Sequence, residues 1–563
     1  MKPFIFRSSG PTPLAKNVLF MAMALCFGHA HGQAPATSGD IMRQIQPAQP
    51  SPVPQVQPRR PSTAAPAAAP AQQARVNVTK WQIEGNTVID TERLLAILAQ
   101  HTGPEMTIQK IQEAAAQVQQ AYEADGWLVR VLLPKQDVTD GVVRLQLIEG
   151  RMGDVVMQAD GGSRVAPDRV KAVVGASLVK GDLLNTRGAN RGLLLADDLS
   201  GVSVSGQLKS GRAEGSTDIV VRTSPEPALV YDAFLDNGNA RSVGEYRALA
   251  SVLWSSPGGF GESYAVQGLV SEGAAYLRLG AGAPIGHSGL KGGVAFSRMD
   301  YKVVTADENG QVPGIKGSAQ TVSVDLAYPW LRSRTQNLYL TSGMERRSYE
   351  SRFDDVAQAS YHVNALQVGV SGNHFDNWGG AASNAYSLTW HIGQVRSDRV
   401  TVNNDVAGSF KKLRWSFSRQ QALIKGLTLS ASVHGQTTGS KPLDSSENMS
   451  LGGPGGVRAY PVGEASGPQG MLANVELRWA LSSEWFITPF YDHGRVDKRN
   501  NAVRGYHLKG AGVSAVWTGP AGWVGKGTYA RRIGENANPT ETGKDQDGSL
   551  RKHRLWLSLA RSF

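Results

Sequence analysis

The sequence predicts two small α+β domains followed by an all-β transmembrane barrel of about 16 antiparallel strands. Three observations lead to this fold class. Helical periodicity is confined to the part of the chain before residue 225, and alternating segments rich in Tyr, Trp, Val, Leu and Gly fill the remainder. The connections between those segments are mostly short on one side and long on the other, which is typical of an outer-membrane barrel. With 563 residues, the chain is also too long for one ordinary domain.

Composition excludes several classes of function. The single cysteine, Cys26, lies in the N-terminal apolar stretch, so the mature chain has no disulfide framework, cysteine zinc site or iron-sulfur cluster. The 11 histidines are scattered singly, and neither a catalytic nor a nucleotide-binding motif is present in a suitable context. We therefore predict no enzyme activity, metal or cofactor. The net charge of +11 is compatible with nucleic acid, an anionic membrane surface or a polar lumen, and does not choose between them.

The first 30 residues are typical of a signal peptide. An apolar run of about ten residues is too short to cross a bilayer as a helix, so a retained anchor is the weaker alternative. Basic residues precede the run and small residues follow it: Lys2, Arg7, Lys16, Gly28 and Ala30. The mature chain would begin near His31.

Residues 31–75 are rich in Pro, Ala and Gln and contain few large apolar side chains. Such a stretch cannot bury a core, so it predicts a semi-extended linker. Residues 38–46 are the part of this linker that can form a short helix of two turns.

Two copies of one structural plan follow, at residues 76–150 and 151–225. Each shows a strand, two helices and two further strands, which predicts tandem α+β domains. The first copy is predicted to contain a strand at 76–83, a helix at 90–100, a second helix that is capped by Thr107 and has an apolar face from Ile108 to Tyr122, and strands at 127–133 and 142–148. The second is predicted to contain a strand near 155–157, helices beginning near 167 and covering 193–199, and a hairpin at 202–208 and 219–222.

Residues 228–563 are predicted to form the barrel. Ten of the twelve tryptophans lie in this region, several at strand ends, as expected for interfacial girdles. The last strand has Leu555, Leu557, Leu559 and Phe563 on one parity and Trp556, Ser558, Ala560 and Ser562 on the other. A large soluble β-sandwich array is the alternative, but it does not account for the loop asymmetry. The predicted strands are 228–238, 244–256, 261–272, 275–285, 289–301, 319–331, 336–350, 359–374, 382–395, 404–418, 424–437, 469–481, 484–495, 507–518, 522–533 and 550–563.

Two motifs in the barrel region carry a family resemblance. The longest connection, 438–468, contains Val457-Arg458-Ala459-Tyr460, and a later strand contains Phe490-x-Asp492-x-Gly494. With two preceding domains that resemble POTRA domains, these motifs resemble the two-partner secretion (type Vb) transporters of the haemolysin-activator and filamentous-haemagglutinin-exporter family. The likeness covers nearly the whole mature chain.

The resemblance implies that the loop folds into the barrel lumen, where Arg458 would pair with Asp492. Physical chemistry supports the pair, because an arginine inside a narrow barrel needs an anion. Spacing alone leaves open an exposed loop whose arginine contacts solvent or lipopolysaccharide. One residue departs from the family pattern, since Ala459 replaces a glycine. If that turn requires a positive φ, alanine would cost about 1 kcal/mol.

The function implied is secretion of one large adhesin- or haemolysin-type partner protein across the outer membrane. The POTRA-like domains would lie in the periplasm and capture the partner, and a helix at 38–46 would match the family's plug helix in position. Outer-membrane lipids and the barrel-assembly machinery, which would recognise the C-terminal strand, are further expected partners; nucleic acid is not. The alternatives are an assembly factor that inserts outer-membrane proteins, and a passive porin.

Overall fold

The computed structural model describes residues 37–45, 75–159, 162–213, 215–306, 311–399, 406–439, 442–497, 505–540 and 542–563. The predicted signal peptide and most of the predicted linker lie outside the described residues. None of the described helices is both long enough and apolar enough to span a membrane. The described residues form two compact units, one within Arg59–Glu226 and the other made of helix α1 (Ser38–Ile45) with most of 227–563.

The first half of the N-terminal unit has the predicted order of strand, helix, helix, strand, strand. Its elements are β1 (Arg75–Val78), β2 (Lys80–Glu84), α2 (Thr91–Leu98), β3 (Gly103–Thr107), α3 (Ile108–Asp125), β4 (Val129–Leu132) and β5 (Val142–Glu149). The main sheet has the order β2-β5-β4, with β2 parallel to β5. The predicted strand at 76–83 is divided, because β1 leaves this sheet to pair with β3, which the sequence did not predict.

The second half repeats this topology. Its elements are β6 (Arg151–Ala159), α4 (Pro167–Gly175), α5 (Thr186–Asp197), β7 (Val202–Ser210) and β8 (Ser216–Pro225), and the sheet order is β6-β8-β7. Helix α5 begins seven residues before the predicted start at 193, because the Asn185 side chain caps it by accepting the Arg187 and Gly188 N–H groups. Gly192 lets α5 approach α4, since a Cβ there would lie 2.3 Å from the Val174 carbonyl oxygen.

Sixteen antiparallel strands close into a barrel, which confirms the predicted fold class. The first eight are β9 (Leu229–Asp236), β10 (Arg247–Ser255), β11 (Ser263–Ser271), β12 (Ala274–Pro284), β13 (Lys291–Lys302), β14 (Ile315–Arg332), β15 (Gln336–Phe353) and β16 (Val356–Asp376). The next three are β17 (Ala382–Arg399), β18 (Gly408–Ile424) and β19 (Leu427–Thr438). After a short ribbon of β20 (Met449–Ser450) and β21 (Ser466–Gly467), the last five are β22 (Gln469–Ala480), β23 (Trp485–Asp497), β24 (Tyr506–Thr518), β25 (Trp523–Arg532) and β26 (His553–Ser562).

The barrel closes where β26 pairs with β9, from Ser558 opposite Asp236 to Ser562 opposite Asp232. Lipid-facing leucines on β26 are exposed, as the alternation predicted. The connection after the seventh barrel strand is not the long loop expected from the predicted strand ends. Strands β15 and β16 extend until only Asp354 and Asp355 separate them, with φ of +45° and +66°.

Candidate functional site: the lumen loop and its anchors

The long loop between β19 and β22 packs against the inner wall of the barrel. Its residues Leu451, Val457 and Tyr460 are fully buried, and they share an apolar cluster with wall residues of β22 to β25. The ribbon of β20 and β21 forms the two limbs of the loop. Glycines permit the tight return, because a Cβ on Gly456 would lie 2.0 Å from the Leu451 carbonyl oxygen.

Arg458, at the loop tip, is held by two carboxylates of the wall. Its Nε and Nη2 donate to Oδ2 and Oδ1 of Asp492 at 2.9 and 2.6 Å, which is a bidentate pair. Its backbone N–H donates to the same Asp492 at 3.0 Å, and its Nη1 donates to Glu476 at 2.6 Å. The structure thus brings together the arginine and aspartate that the sequence singled out. Glu476 was missed, although its position two residues from Asn474, which faces Asp492 across the strands, was a usable signal.

Alternate residues of β23 build the wall side of this anchor. Phe490 lies under the guanidinium, with the Arg458 Cζ 3.4 Å from the ring centroid. Asp492 is completely buried and also accepts a hydrogen bond from Asn474 at 2.8 Å. Gly494 leaves room for the loop, since a Cβ there would lie 3.0 Å from Val457 Cγ2. The Phe-x-Asp-x-Gly spacing therefore places one ring, one anion and one gap on the same face of a strand.

Ala459, the departure from the family pattern, is accommodated without backbone strain. Its φ is not positive, so the cost considered from the sequence does not arise. Its methyl group faces Gly510 of β24, where a Cβ would lie 2.6 Å from the Ala459 Cβ. Nearby, Gly512 leaves space for Phe490, with Cζ 2.7 Å from the position of a Cβ. The wall glycines thus complement the loop tip.

Contacts of Tyr460 and of the loop backbone continue toward the last strands. The Arg532 Cζ lies 4.3 Å from the centroid of the Tyr460 ring, and Arg532 is itself paired with Asp545 at 2.5 Å. Trp556 Nε1 donates to the Arg458 carbonyl oxygen at 2.8 Å. Residues of three strands beyond β23 therefore contact the tip.

A second charged cluster, which the sequence did not predict, holds the base of the same loop. Glu447 is 2% exposed and pairs with Lys412 Nζ at 2.6 Å and with Arg347. Lys412 and Gln436 also donate to the Glu447 carbonyl oxygen, each at 2.8 Å. Each of these residues is an ordinary charged or polar strand or loop residue in the sequence, so only the closed barrel brings them together.

Helix α1 lies against the wall and the base of the loop, within the barrel unit. Thr37 caps it, because its Oγ1 accepts the Asp40 backbone N–H at 3.2 Å, and Ile41 and Met42 are buried among wall aromatics. Arg43 Nη1 donates to the carbonyl oxygen of loop residue Asn448 at 2.6 Å. Gly39 allows a close approach, since a Cβ there would lie 2.8 Å from Tyr361 Oη.

The closed sixteen-stranded barrel with an internal loop and the two preceding α+β domains define an outer-membrane barrel protein of the POTRA-containing class. The chain belongs to the family "Haemolysin secretion/activation protein ShlB/FhaC/HecB", whose model matches residues 215–517. A ShlB-type POTRA domain model matches residues 76–150. The chain is therefore a transporter of two-partner secretion, with its barrel in the outer membrane and its POTRA domains in the periplasm.

Curated relatives agree with this assignment, and solved structures share the fold. The heme/hemopexin transporter protein HuxB of Haemophilus influenzae is 24% identical over 513 residues, covering 86% of this chain and 87% of HuxB. The outer membrane transporter CdiB of Escherichia coli O6:K15:H31 is 24% identical over 407 residues, covering 70% of this chain and 67% of CdiB. The structure of CdiB from Escherichia coli superposes with a TM-score of 0.69 at 21% identity, covering 90% of this chain and 93% of CdiB. BamA from Haemophilus ducreyi, lacking POTRA domains 1–3, shares the fold with a TM-score of 0.53 at 15% identity, covering 87% of this chain and 100% of that one.

Proposed function

We propose that this transporter exports one large adhesin- or haemolysin-type protein through a lumen gated by the inward-folded loop. The observation that carries the proposal is the buried pairing of Arg458 with Asp492 and Glu476. A buried ion pair that loses one partner leaves an uncompensated charge, so the loop has one strongly preferred position. Passage of a chain requires that the loop leave this position. Val457, Ala459, Tyr460, Phe490 and Gly494 serve the gate by shaping the tip and its contact with the wall.

Capture of the client is assigned to the POTRA domains, with proposed bounds of 76–150 and 151–225. In the first, β4 is an edge strand of its sheet, and the adjacent Leu132 and Leu133 are exposed at 36% and 40%. An unpaired strand edge beside apolar side chains can bind an extended segment through backbone hydrogen bonds. The sheet thereby recognises an unfolded client without requiring a folded ligand.

The rest of the proposal concerns the N-terminal segments, the last strand and the outer face of the barrel. Residues 1–30 act as a signal peptide, and 31–75 as a linker whose helix α1 plugs the 228–563 barrel. The strand ending at Phe563 is handed to the barrel-assembly machinery, and the apolar outer face contacts outer-membrane lipids. Transport uses no catalytic residue, cofactor or nucleic acid.

The direct test is reversal of the charge at the loop tip. Arg458→Asp places a carboxylate beside Asp492, so export of the partner protein should fall strongly while the barrel still assembles. The double reversal Arg458→Asp with Asp492→Arg should recover part of the export, because contacting residues couple by about 0.5–3 kcal/mol. Arg298→Asp, on the exposed surface, is the matched control.

Export is followed by the appearance of the partner in the medium, and barrel folding by heat-modifiable mobility. Normal secretion by Arg458→Asp, or crosslinks that place Arg458 only at the cell exterior, would contradict the gate.

An assembly-factor function is the second candidate, because the fold is shared with BamA and the chain has a definable seam between β26 and β9. Leu235 and Leu559 are cross-strand partners at the seam. A disulfide between Leu235→Cys and Leu559→Cys would lock the seam and so tests which of the two functions applies. Export through the lumen should continue when this seam is locked. Export that stops on oxidation and returns on reduction would instead favour a mechanism that opens the seam.

A further inference from the structure

The outer face of strands β23–β26 carries a cluster of basic and imidazole side chains near the long-loop end of the barrel. Cross-strand register joins them in pairs, with Arg495 opposite His507, His493 opposite Lys509, and Arg531 opposite His553. Opposite residues on one face of a sheet have Cβ atoms about 5 Å apart, so the members of each pair are neighbours. Arg531 lies opposite Ala511, two residues from Lys509, which places the third pair diagonally beside the second. We call His493, Arg495, His507, Lys509, Arg531 and His553 the rim cluster.

The rim cluster begins where the lipid-facing apolar surface ends. The same outward face, on the side toward the short turns, carries apolar and tyrosine side chains that are 40–56% exposed: Tyr491, Val513, Tyr529 and Leu555. The opposite face of these strands holds the buried lumen residues, including Asp492. Both chain ends of the barrel lie on the short-turn side, where Phe563 N–H donates to the Tyr231 carbonyl oxygen at 2.9 Å. The cluster therefore lies at the level of the outer-leaflet headgroups.

Some exposed basic residues of other barrel strands have acidic partners. Arg298 pairs with Asp300 at 2.9 Å, Arg352 with Glu350 at 2.7 Å and Lys316 with Asp355 at 2.6 Å.

In the rim cluster, no ion pair within the described parts of the chain involves Arg495, Lys509 or Arg531. The next outward carboxylate along β23, Asp497, accepts a hydrogen bond from Gln469 at 3.0 Å.

The imidazoles are arranged by contacts with one another and with the tyrosine of the apolar band. His493 Nε2 lies 3.0 Å from His507 Nδ1, with the rings stacked at a centroid distance of 5.3 Å. His553 Nδ1 lies 2.5 Å from the Tyr529 hydroxyl. Guanidinium and ammonium groups bind phosphate oxygens through charge-assisted hydrogen bonds, and imidazole N–H groups can add donors.

We propose that the rim cluster is a binding site for the phosphate groups of an outer-leaflet glycolipid. Its position above a lipid-facing apolar band selects a headgroup whose acyl chains lie along Tyr491, Val513 and Leu555. The three permanent cations supply the charge that the phosphates require. Strand β23 then has the lipid on one face and the Asp492 anchor of the gate on the other.

The test measures binding of bis-phosphorylated lipid A to the detergent-purified full-length transporter, compared with dephosphorylated lipid A and inorganic phosphate. Wild type should bind the phosphorylated lipid preferentially. Lys509→Gln with Arg531→Gln should weaken binding by about tenfold or more, because two charge-assisted contacts are removed. Arg298→Gln is the matched control and should bind as wild type does. Heat-modifiable mobility confirms that each variant is folded.

Three results would overturn the proposal. Equal binding of dephosphorylated lipid A would show that acyl chains alone are recognised. Equally tight binding of inorganic phosphate would assign the cluster to a soluble anion. Unchanged binding of the phosphorylated lipid by the folded double variant would place the lipid elsewhere.

Discussion

Substitution of Gly510 by alanine should displace the loop tip although it changes no charge. The added Cβ would lie 2.6 Å from the Cβ of Ala459, where nonbonded carbons prefer about 3.5–4.0 Å. Ala459 is fully buried and cannot rotate its methyl group away, and Gly510 lies in a paired strand. The loop tip must therefore move back from the wall, which strains the adjacent Arg458 contacts.

The size of this effect follows from the cost of overpacking. Added methyl groups in well-packed sites cost about 1–3 kcal/mol, which corresponds to a roughly 5- to 150-fold shift between docked and displaced loop. Ala459→Gly removes the methyl group that clashes. The double variant should therefore recover most of the docked population, with a coupling of about 0.5–3 kcal/mol between the two sites.

Single-channel recording in planar bilayers measures the shift, because a displaced loop opens the lumen. Gly510→Ala should raise the open fraction, and the double variant should return it toward the wild-type value. Gly525→Ala in the next strand is the control, since its Cβ would meet only Trp517 Cε3 at an ordinary 3.5 Å. The explanation fails if Gly510→Ala behaves as Gly525→Ala does, or if Ala459→Gly gives no recovery.

Three further predictions concern the loop base, the helix and a periplasmic domain. Glu447→Gln leaves the buried Lys412 without its anion and should destabilise the loop by about 3–5 kcal/mol; an unchanged open fraction would contradict this. Gly39→Val should expel helix α1 and lengthen channel openings, and openings like those of wild type would argue against a plug. Burial raises the pKa of Glu149, but hydrogen bonds from Thr87, Tyr122 and the backbone outweigh it, so its pKa is lowered. The ionised Glu149 therefore stabilises the folded domain at neutral pH, and this stabilisation is lost as pH falls through the folded-state pKa. Glu149→Gln should accordingly make amide exchange around Tyr122 less dependent on acid pH.

The strands could be predicted from sequence because a barrel repeats one local rule. Outward apolar and inward polar residues alternate for the length of each strand, and turns interrupt the alternation. Errors arose where a local signal was weak. Asp354-Asp355 reads as polar loop, yet it forms a tight turn with both φ values positive, which aspartate tolerates better than most residues.

The contacts around the loop could not be predicted from this local alternation. Arg458 and Asp492 were singled out by family resemblance, since spacing alone left a surface loop equally open. The sequence analysis assigned no role to Gly510, and its complementarity to Ala459 is visible only when the loop is folded against β24. The pairing of Glu447 with Lys412 joins a loop to a distant strand, and no local pattern reports such a contact.

Two charged clusters hold the loop: one around Glu447 at its base and one around Arg458 at its tip. Helix α1 contacts the base, through Arg43 and the Asn448 carbonyl oxygen, and Glu447 is one residue away. The tip is held by Asp492 and Glu476, on strands that the helix does not touch through any described hydrogen bond. Departure of the helix therefore weakens the base first and leaves the tip pair intact. Opening for a client then requires a second event that acts on Arg458, so loss of the plug and displacement of the loop are separable steps.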